Sequence, residues 1–257
     1  MTILKTEAFV LRTIKFKESS KIVTFYTKEL GRVGAIVKGA RRPKSKIGAS
    51  LEPMSHVQIV LYLKEGREVQ TVGQCDLLHS YHHFASDLEK LSVGLSIIEL
   101  VYNIAHEQEQ NIPLFDLINQ TLAALNESSH NSLILFYFEM RLAELLGFSP
   151  VFTRCGNCKK EINFQQQSTK WYWYNLQKGC PMCEDCSFVQ HGLHKISTDA
   201  LTTLEHIIRL KSIGHIQLLP IERSTENEIE EFMMKYLEAH VSGFKQPRSR
   251  KIYHTRG

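Results

Sequence analysis

Two clusters of side chains in this sequence have types and spacings suited to chemistry. Cys155-Gly-Asn-Cys158 and Cys183-Glu-Asp-Cys186 are Cys-x-x-Cys pairs separated by 24 residues. Each pair can place two thiolates about 2.3 Å from one ion, and two pairs complete a tetrahedron with no position left for water. The spacing predicts a closed, structural Zn²⁺ site built from Cys155, Cys158, Cys183 and Cys186. Cys180 makes an overlapping pair in Cys180-Pro-Met-Cys183, so it is either an alternative ligand or a spare thiol. His191 and His194 follow closely and are possible ligands, but they read better as ordinary surface histidines. Trp171-Tyr-Trp-Tyr174 lies between the pairs and alternates like a strand. It is expected to pack over the metal, because so small a module has little other core. Cys75 reads as a buried small hydrophobe.

The second cluster is Lys38-Gly-Ala-Arg-Arg-Pro-Lys-Ser-Lys46, with five positive charges in nine residues and no acid. Gly39 and Pro43 make it a loop, and the arginines offer planar forks suited to phosphate. Arg12, Lys15, Lys17 and Lys21 are near in sequence. A basic loop on a basic, strand-rich segment points to nucleic acid held through its backbone. Phe9, Phe16, Phe25, Tyr26 and Tyr62 could stack on bases, but half of the aromatics on any barrel point into its core. The reading therefore rests on the charges.

Catalytic patterns are absent. Gly39 is followed five residues later by Lys44 and not by glycine, so this is no phosphate-binding Walker loop. His106-Glu107 lacks the second histidine of a zinc hydrolase, and Gly94-Leu-Ser-Ile-Ile98 lacks the second glycine of a nucleophile elbow. The expectation is a protein that is not an enzyme.

The elements that must position these residues follow from periodicity. Residues 3–78 alternate and are rich in β-branched and aromatic types, with strands expected near 8–17, 22–27, 32–38, 56–63 and 68–74. Five strands with one long loop from Gly39 to Pro53 suggest a small closed or nearly closed barrel, with an SH3-like barrel as the alternative. Beyond Tyr81 the period becomes helical. Leu88, Leu91, Leu95, Ile98 and Tyr102 form one stripe, and Ser86-Asp-Leu-Glu89 resembles a capping box. Further helices are predicted over 113–126, 132–146, 198–213 and 226–242. The span 132–146 is apolar almost all round and belongs at the centre of a bundle, while Thr225–Glu228 offers another capping box. The last fourteen residues have no apolar period and are expected to be disordered when unbound. The expected division is 1–80, a nucleic-acid-binding barrel; 81–243, a helical domain containing the zinc module 151–192; and 244–257, a basic tail.

Charge follows the same partition. Residues 1–80 carry 14 Lys/Arg against 7 Asp/Glu, residues 81–243 carry 12 against 20, and the tail carries five basic residues and no acid. A polyanion should meet the front of the chain and something else the middle. No apolar run approaches the ~20 residues of a membrane span. The N-terminus enters alternating sequence directly, without the pattern of a signal peptide. Clustered cysteines in such a chain imply metal and a reducing cytoplasm.

The order of parts is similar to a known family. Ala8-Phe-Val-Leu-Arg12, Glu18-Ser-Ser-Lys-Ile-Val-Thr24, Gly31-Arg-Val-Gly-Ala-Ile-Val-Lys-Gly-Ala-Arg-Arg-Pro-Lys-Ser45 and Leu51-Glu-Pro53, followed by helices and Cys-x-x-Cys pairs, resemble the bacterial recombination mediators of the RecO family. The resemblance implies an α+β fold: a five-stranded OB-fold barrel, then a helical domain with a zinc-binding four-cysteine insert. It implies DNA repair and recombination in the RecF pathway, in a bacterial cytoplasm and at the nucleoid. The implied partners are single- and double-stranded DNA, RecR, single-strand-binding protein and, indirectly, RecA. The implied actions are annealing of complementary strands and, with RecR, loading of RecA onto coated strands. Carried onto this chain, the DNA-contacting residues are Lys38, Arg41, Arg42 and Lys44, with Arg12 and Lys21 as secondary contacts. Cys180 is an extra thiol relative to the family's two pairs. A transcription or translation adaptor that binds RNA or protein through its zinc module is the competing class, and an unrecognised zinc hydrolase is a third.

Overall fold

The computed structural model describes residues 2–42, 45–164, 169–188 and 190–250. They form two compact units, residues 2–126 with 247–250, and residues 127–246. The chain is a mixed α+β protein with an N-terminal barrel, a helical C-terminal part and a cysteine cluster, as expected from the sequence.

The first unit begins with β1 (Thr2–Phe16), β2 (Ser20–Thr27), β3 (Gly31–Val37), β4 (His56–Leu63) and β5 (Val69–His79). They close into a barrel in the order β1-β2-β3-β5-β4. The β3–β5 pairing is parallel and the others are antiparallel. This five-stranded arrangement is that of an OB-fold and decides against the SH3-like alternative. Strict alternation aims Val33, Ala35 and Val37 of β3 and Val57, Ile59 and Leu61 of β4 into one core with Val23 and Phe25. Truncating one of the large side chains there to alanine would cost about 2–5 kcal/mol. In β1 the alternation breaks at a bulge between Val10 and Arg12, so that Ala8, Phe9, Val10 and Leu11 are all buried. Burial, with Asp76 beside it, pushes the Cys75 thiol up to about 12, in keeping with a packing role. A short helix, α1 (Lys46–Ala49), and Leu51 plug one end of the barrel.

Two longer helices complete this unit, α2 (Leu88–Ile104) and α3 (Ile112–Glu127). The cap of α2 is Asp87, whose Oδ1 accepts from the amides of Glu89 and Lys90 at 3.0 and 3.1 Å. Ser86, the expected cap, belongs instead to the preceding 3-10 turn and donates to His83 O. Phe115 of α3 covers Phe9 on the outside of the barrel at 5.1 Å, with His56 stacked on Phe9 at 4.5 Å. The segment joining α2 to α3 runs along the start of β3, where Gln108 N donates to Arg32 O at 3.1 Å. Gly31 permits this approach: its φ is +63°, and a Cβ there would lie 2.0 Å from Glu109 O.

The expectation of a disordered tail is corrected for residues 247–250. Ser92 and Ser96 of α2 hydrogen-bond the carbonyl and hydroxyl of Ser249 at 2.8 and 3.0 Å, and Arg248 N donates to Glu99 Oε2 at 2.5 Å. These polar anchors on a helix face leave no apolar period in the tail. Residues 251–257 lie outside the described residues.

The second unit contains α4 (Asn131–Leu145), buried along most of its length and closed by Gly147 at φ +84°. A three-stranded sheet follows, in the order β7-β6-β8, from β6 (Trp171–Asn175), β7 (Cys180–Met182) and β8 (His194–Ser197). Between β7 and β8 lies α5 (Glu184–Ser187), and after them α6 (Thr198–Arg209) and α7 (Arg223–His240) pack on α4. Ser197 caps α6 through Ala200 N at 3.1 Å. The helix ends at Arg209, short of the expected Ile213, and residues from Ile213 form a 3-10 turn. The last helix starts at Arg223, three residues before the expected Glu226, so Thr225 is inside it and caps nothing. Glu228 instead accepts from Ser197 N at 2.7 Å and ties α7 to the start of α6. No helix among the described residues is long and apolar enough to cross a membrane.

Candidate nucleic-acid interface and metal centre

The basic loop leaves the barrel at the end of β3. Val37 points into the core, Lys38 is exposed, Gly39 turns the chain at φ +71°, and Ala40 re-enters the core. Arg41 and Arg42 then face solvent. A buried alanine flanked by exposed cations fixes the backbone of the turn while leaving its charged side chains outside. Arg42 N closes the turn on Gly39 O at 3.1 Å. Arg41 links it to the β1–β2 hairpin, donating from its amide to Ser19 O at 3.0 Å and from Nη1 to Lys17 O at 2.9 Å. Lys17, with φ +51°, is exposed at the hairpin tip, and Lys15 is exposed on β1. The loop and the hairpin therefore present Lys15, Lys17, Lys38, Arg41 and Arg42 from adjoining backbone, with Glu18 as the acid between them.

Two of the expected cations are engaged elsewhere. Lys21 Nζ donates to Gly48 O at 3.3 Å and pairs with Glu52 at 3.2 Å, with its side chain only 15% exposed. It holds α1 against β2. Arg12 turns to α2, donating to Tyr102 Oη at 3.1 Å with its guanidinium 5.5 Å from the ring centroid. Arg32 lies over the same ring at 5.7 Å and donates to Tyr102 O at 2.8 Å. Lys44 lies outside the described residues. Lys17, which the sequence offers only as a neighbour, is brought to the loop by the turn geometry.

The barrel offers little aromatic surface for bases. Phe25 is in its core, while Phe9 and Tyr26 are buried, the latter donating to Asn111 O at 3.2 Å. Burial, with Glu109 nearby, pushes the Tyr26 phenol up to about 12. Tyr62 packs against Gly73, where a Cβ would sit 2.2 Å from the ring edge, and Lys17 Nζ stands 5.5 Å from the centroid of the half-buried Phe16 ring. This surface is made to meet charge.

In the second unit the four expected sulfurs converge. Cys155, Cys158, Cys183 and Cys186 place their Sγ atoms within 4.8 Å of one another, and Cys158 and Cys183 are 3.6 Å apart. A tetrahedron with bonds of about 2.3 Å would set them roughly 3.8 Å apart. The first pair sits in a turn closed by Cys155 N on Lys160 O at 2.9 Å, with Lys159 at φ +64°. The second opens α5, where Cys183 O accepts from Cys186 N and Ser187 N at 3.1 and 2.9 Å. Gly156 N donates to Pro181 O at 2.9 Å and fastens one turn to the other. The Cys155 thiol is raised by burial, but amides of Cys183, Cys158 and Asn157 outweigh this and bring it down to about 6. Burial and sharing with the neighbouring sulfurs push Cys183 up to about 12. Four sulfurs this close cannot all ionise without a cation among them, so the donor set fits a metal ion.

Cys180 is not part of this group. It is buried on β7 with its Sγ against Gly156, where a Cβ would lie 2.2 Å away, and burial raises its pKa. His191 and His194 also stand outside the group among the described residues. The Trp171–Tyr174 strand shares a cavity lining with Cys183 through Trp171, Tyr172 and Trp173, and its other face is turned into the core of the unit. Tyr174 is the buried face, edge-on to Phe232 at 5.0 Å and donating to Val151 O at 3.1 Å, and Tyr172 packs on Phe164 at 4.8 Å. The two tryptophans face outward.

Comparison with known proteins agrees with this architecture. The family model described as recombination protein O N terminal matches residues 1–81, and that described as recombination protein O C terminal matches residues 85–250. The chain is 31% identical over 254 residues to a DNA repair protein RecO of Chloroherpeton thalassium, covering 98% of each chain. It is 30% identical over 243 residues to the protein of that name from Alkaliphilus metalliredigens, covering 93% of this chain and 94% of the relative. It is 39% identical over 154 residues to that from Salinibacter ruber, covering 60% of this chain and 59% of the relative. With both family models matched in order and similarity over nearly the full length, the chain belongs to the RecO family of DNA repair and recombination proteins.

Proposed function

We propose that this chain is a non-enzymatic recombination mediator whose barrel, residues 1–80, holds DNA by its phosphates. The observation that carries the reading is the joined basic surface of Lys17, Lys38, Arg41 and Arg42 on a closed barrel. Cations at fixed spacing on exposed loops displace counterions from either a single strand or a duplex, and no base identity is required. Annealing needs no bond to be made or broken. It needs a surface that lowers the repulsion between two strands and releases them once paired. Family membership supports the finer roles: pairing complementary strands, acting with RecR, and helping RecA onto strands coated by single-strand-binding protein, at the bacterial nucleoid.

For the metal centre the proposal is Zn²⁺, since four thiolates with no open position suit a closed structural site. Cys155, Cys158, Cys183 and Cys186 hold it and cross-link two turns that have little other core. Arg12 and Lys21 are assigned to the fold first and to DNA second.

The test is a strand-annealing assay with and without a single-strand-binding-protein coat, alongside DNA affinity measured across salt. Arg41→Ala/Arg42→Ala should slow annealing, weaken binding to all sequences alike, and reduce the salt slope by about 1–2. An unchanged slope would remove the basic loop from the site. A strong preference for RNA over DNA of the same sequence would favour an adaptor role instead.

A further inference from the structure

Trp171 and Trp173 are the two tryptophans of the chain, and both stand on the outward face of β6, 48% and 43% exposed. Residues two apart on a strand are roughly 6.7 Å apart. That is about twice the ~3.4 Å rise per nucleotide of a duplex strand. A single strand opened to this spacing could lay one base on each indole. The rings border a cavity of about 590 Å³, with Phe188, 82% exposed, also on its lining. Lys195 of β8 pairs in register with Trp173 and holds its Nζ 4.9 Å from the Trp171 ring centroid.

Charge separates this face from the rest of the acidic middle region. Residues 151–197 carry six Lys/Arg against three Asp/Glu, whereas residues 81–243 as a whole carry 12 against 20. Half of the basic side chains of that region thus lie within residues 151–197, among them Lys160 and Lys170 beside the indoles. The three acids, Glu161, Glu184 and Asp185, line the cavity. Carboxylates there are acceptors for the exocyclic amines of base edges. Flat exposed indoles with ammonium groups beside them are the chemistry that holds unpaired bases and their phosphates. A groove for an amphipathic helix would instead offer a continuous aliphatic trough.

We propose that the outer face of β6 is a second nucleic-acid site, which stacks the bases of single-stranded DNA on Trp171 and Trp173. It deepens the reading that this chain binds DNA and rests on it. The barrel supplies charge with little free aromatic surface, and this face supplies rings with modest charge. A single strand exposes its bases to such a face, while a duplex does not.

Because no other tryptophan exists in the chain, indole emission reports on this face alone. The full-length, metal-loaded protein is titrated with a labelled single strand of mixed sequence and with the labelled duplex of that sequence, reading anisotropy and tryptophan emission together. The expected result is emission quenched in step with single-strand binding and not by duplex. Trp171→Ala/Trp173→Ala should weaken single-strand affinity by about tenfold or more, with duplex affinity and salt slope retained because stacking releases no counterions. Single-strand binding by anisotropy with unchanged emission overturns the proposal and leaves the barrel reading standing, as does unchanged affinity in the double variant. If neither DNA binds, both readings are overturned.

Discussion

Arg41 donates to the main-chain carbonyl of Lys17 at 2.9 Å, across 24 residues of sequence, and so makes one surface from two basic loops. The bond occupies one nitrogen of a guanidinium that has five N–H groups, leaving others for phosphate. Arg42 closes its own turn on Gly39 O and, among the described residues, makes no such bond to the hairpin. Arg41→Ala should therefore reduce DNA affinity more than Arg42→Ala, although each removes one charge and should lower the salt slope by about 1. Anisotropy titrations at several salt concentrations measure both quantities. Equal losses from the two variants would show that the tether does not matter for binding.

Lys21 should behave differently from the loop cations. Its ammonium is held by Gly48 O and Glu52, so Lys21→Met should destabilise the first unit by about 1–2 kcal/mol. The DNA salt slope should change little. Denaturant unfolding gives the first quantity and anisotropy the second. A full unit of lost slope with unchanged stability would make Lys21 a phosphate contact after all.

Metal removal should act on the second unit. Cys158→Ser and Cys183→Ser should each lose bound metal and lower the unfolding temperature of that unit, as should a strong chelator. Cys180→Ser should retain the metal, since its sulfur packs on Gly156 outside the cluster. Metal content by mass spectrometry, followed by thermal unfolding, distinguishes the cases. Loss of metal from Cys180→Ser would place this sulfur among the ligands.

Acid should weaken both units over the same range. Burial lowers the pKa of His56 below its ordinary 6.5, although Glu7 at 2.9 Å opposes the shift. Burial and Lys235 do the same for His194. These imidazoles stay neutral in the folded chain while the unfolded chain takes up protons. Stability is therefore present above pH 6.5 and lost as pH falls from 6.5 towards the depressed values. Unfolding temperatures between about pH 7.5 and about pH 5.5 should fall, and the fall should be shallower in His56→Phe. A flat profile across that range would contradict this account.

The strands were legible because one buried face forces alternation, and β3 shows it without interruption from Gly31 to Val37. The Cys-x-x-Cys pairs were legible because ligand spacing is local. The direction of the Trp171–Tyr174 strand was not, since aromatic residues occupy both of its faces and period alone cannot say which one is covered. Arg12 and Lys21 read as free cations because their partners, Tyr102 and Glu52, lie 90 and 31 residues away. The cap at Asp87 was displaced by one residue because Ser86 and Asp87 both have capping side chains, and the 3-10 turn before them takes the first. The tail escaped notice for a related reason. Its anchors are serines on α2, which carry no hydrophobic signal.

Removing residues 247–257 should then unsettle the first unit. Three hydrogen bonds link Ser249 and Arg248 to Ser92, Ser96 and Glu99. Their loss should cost about 2–4 kcal/mol. Thermal unfolding of a chain ending at Gln246 measures it, and an unchanged midpoint would show the contact to be incidental.

That contact also sets a schedule for biosynthesis. The first unit is assembled from residues 2–126 and residues 247–250, with the whole second unit lying between them in the chain. A domain emerging from the ribosome ordinarily folds as soon as its own residues are available. Here residues 247–250 reach α2 only after the whole second unit has been made, so Ser92, Ser96 and Glu99 stay uncovered until then. A chain stalled before residue 247 would carry every residue of the second unit while α2 of the first still lacked its cover at Ser92 and Ser96.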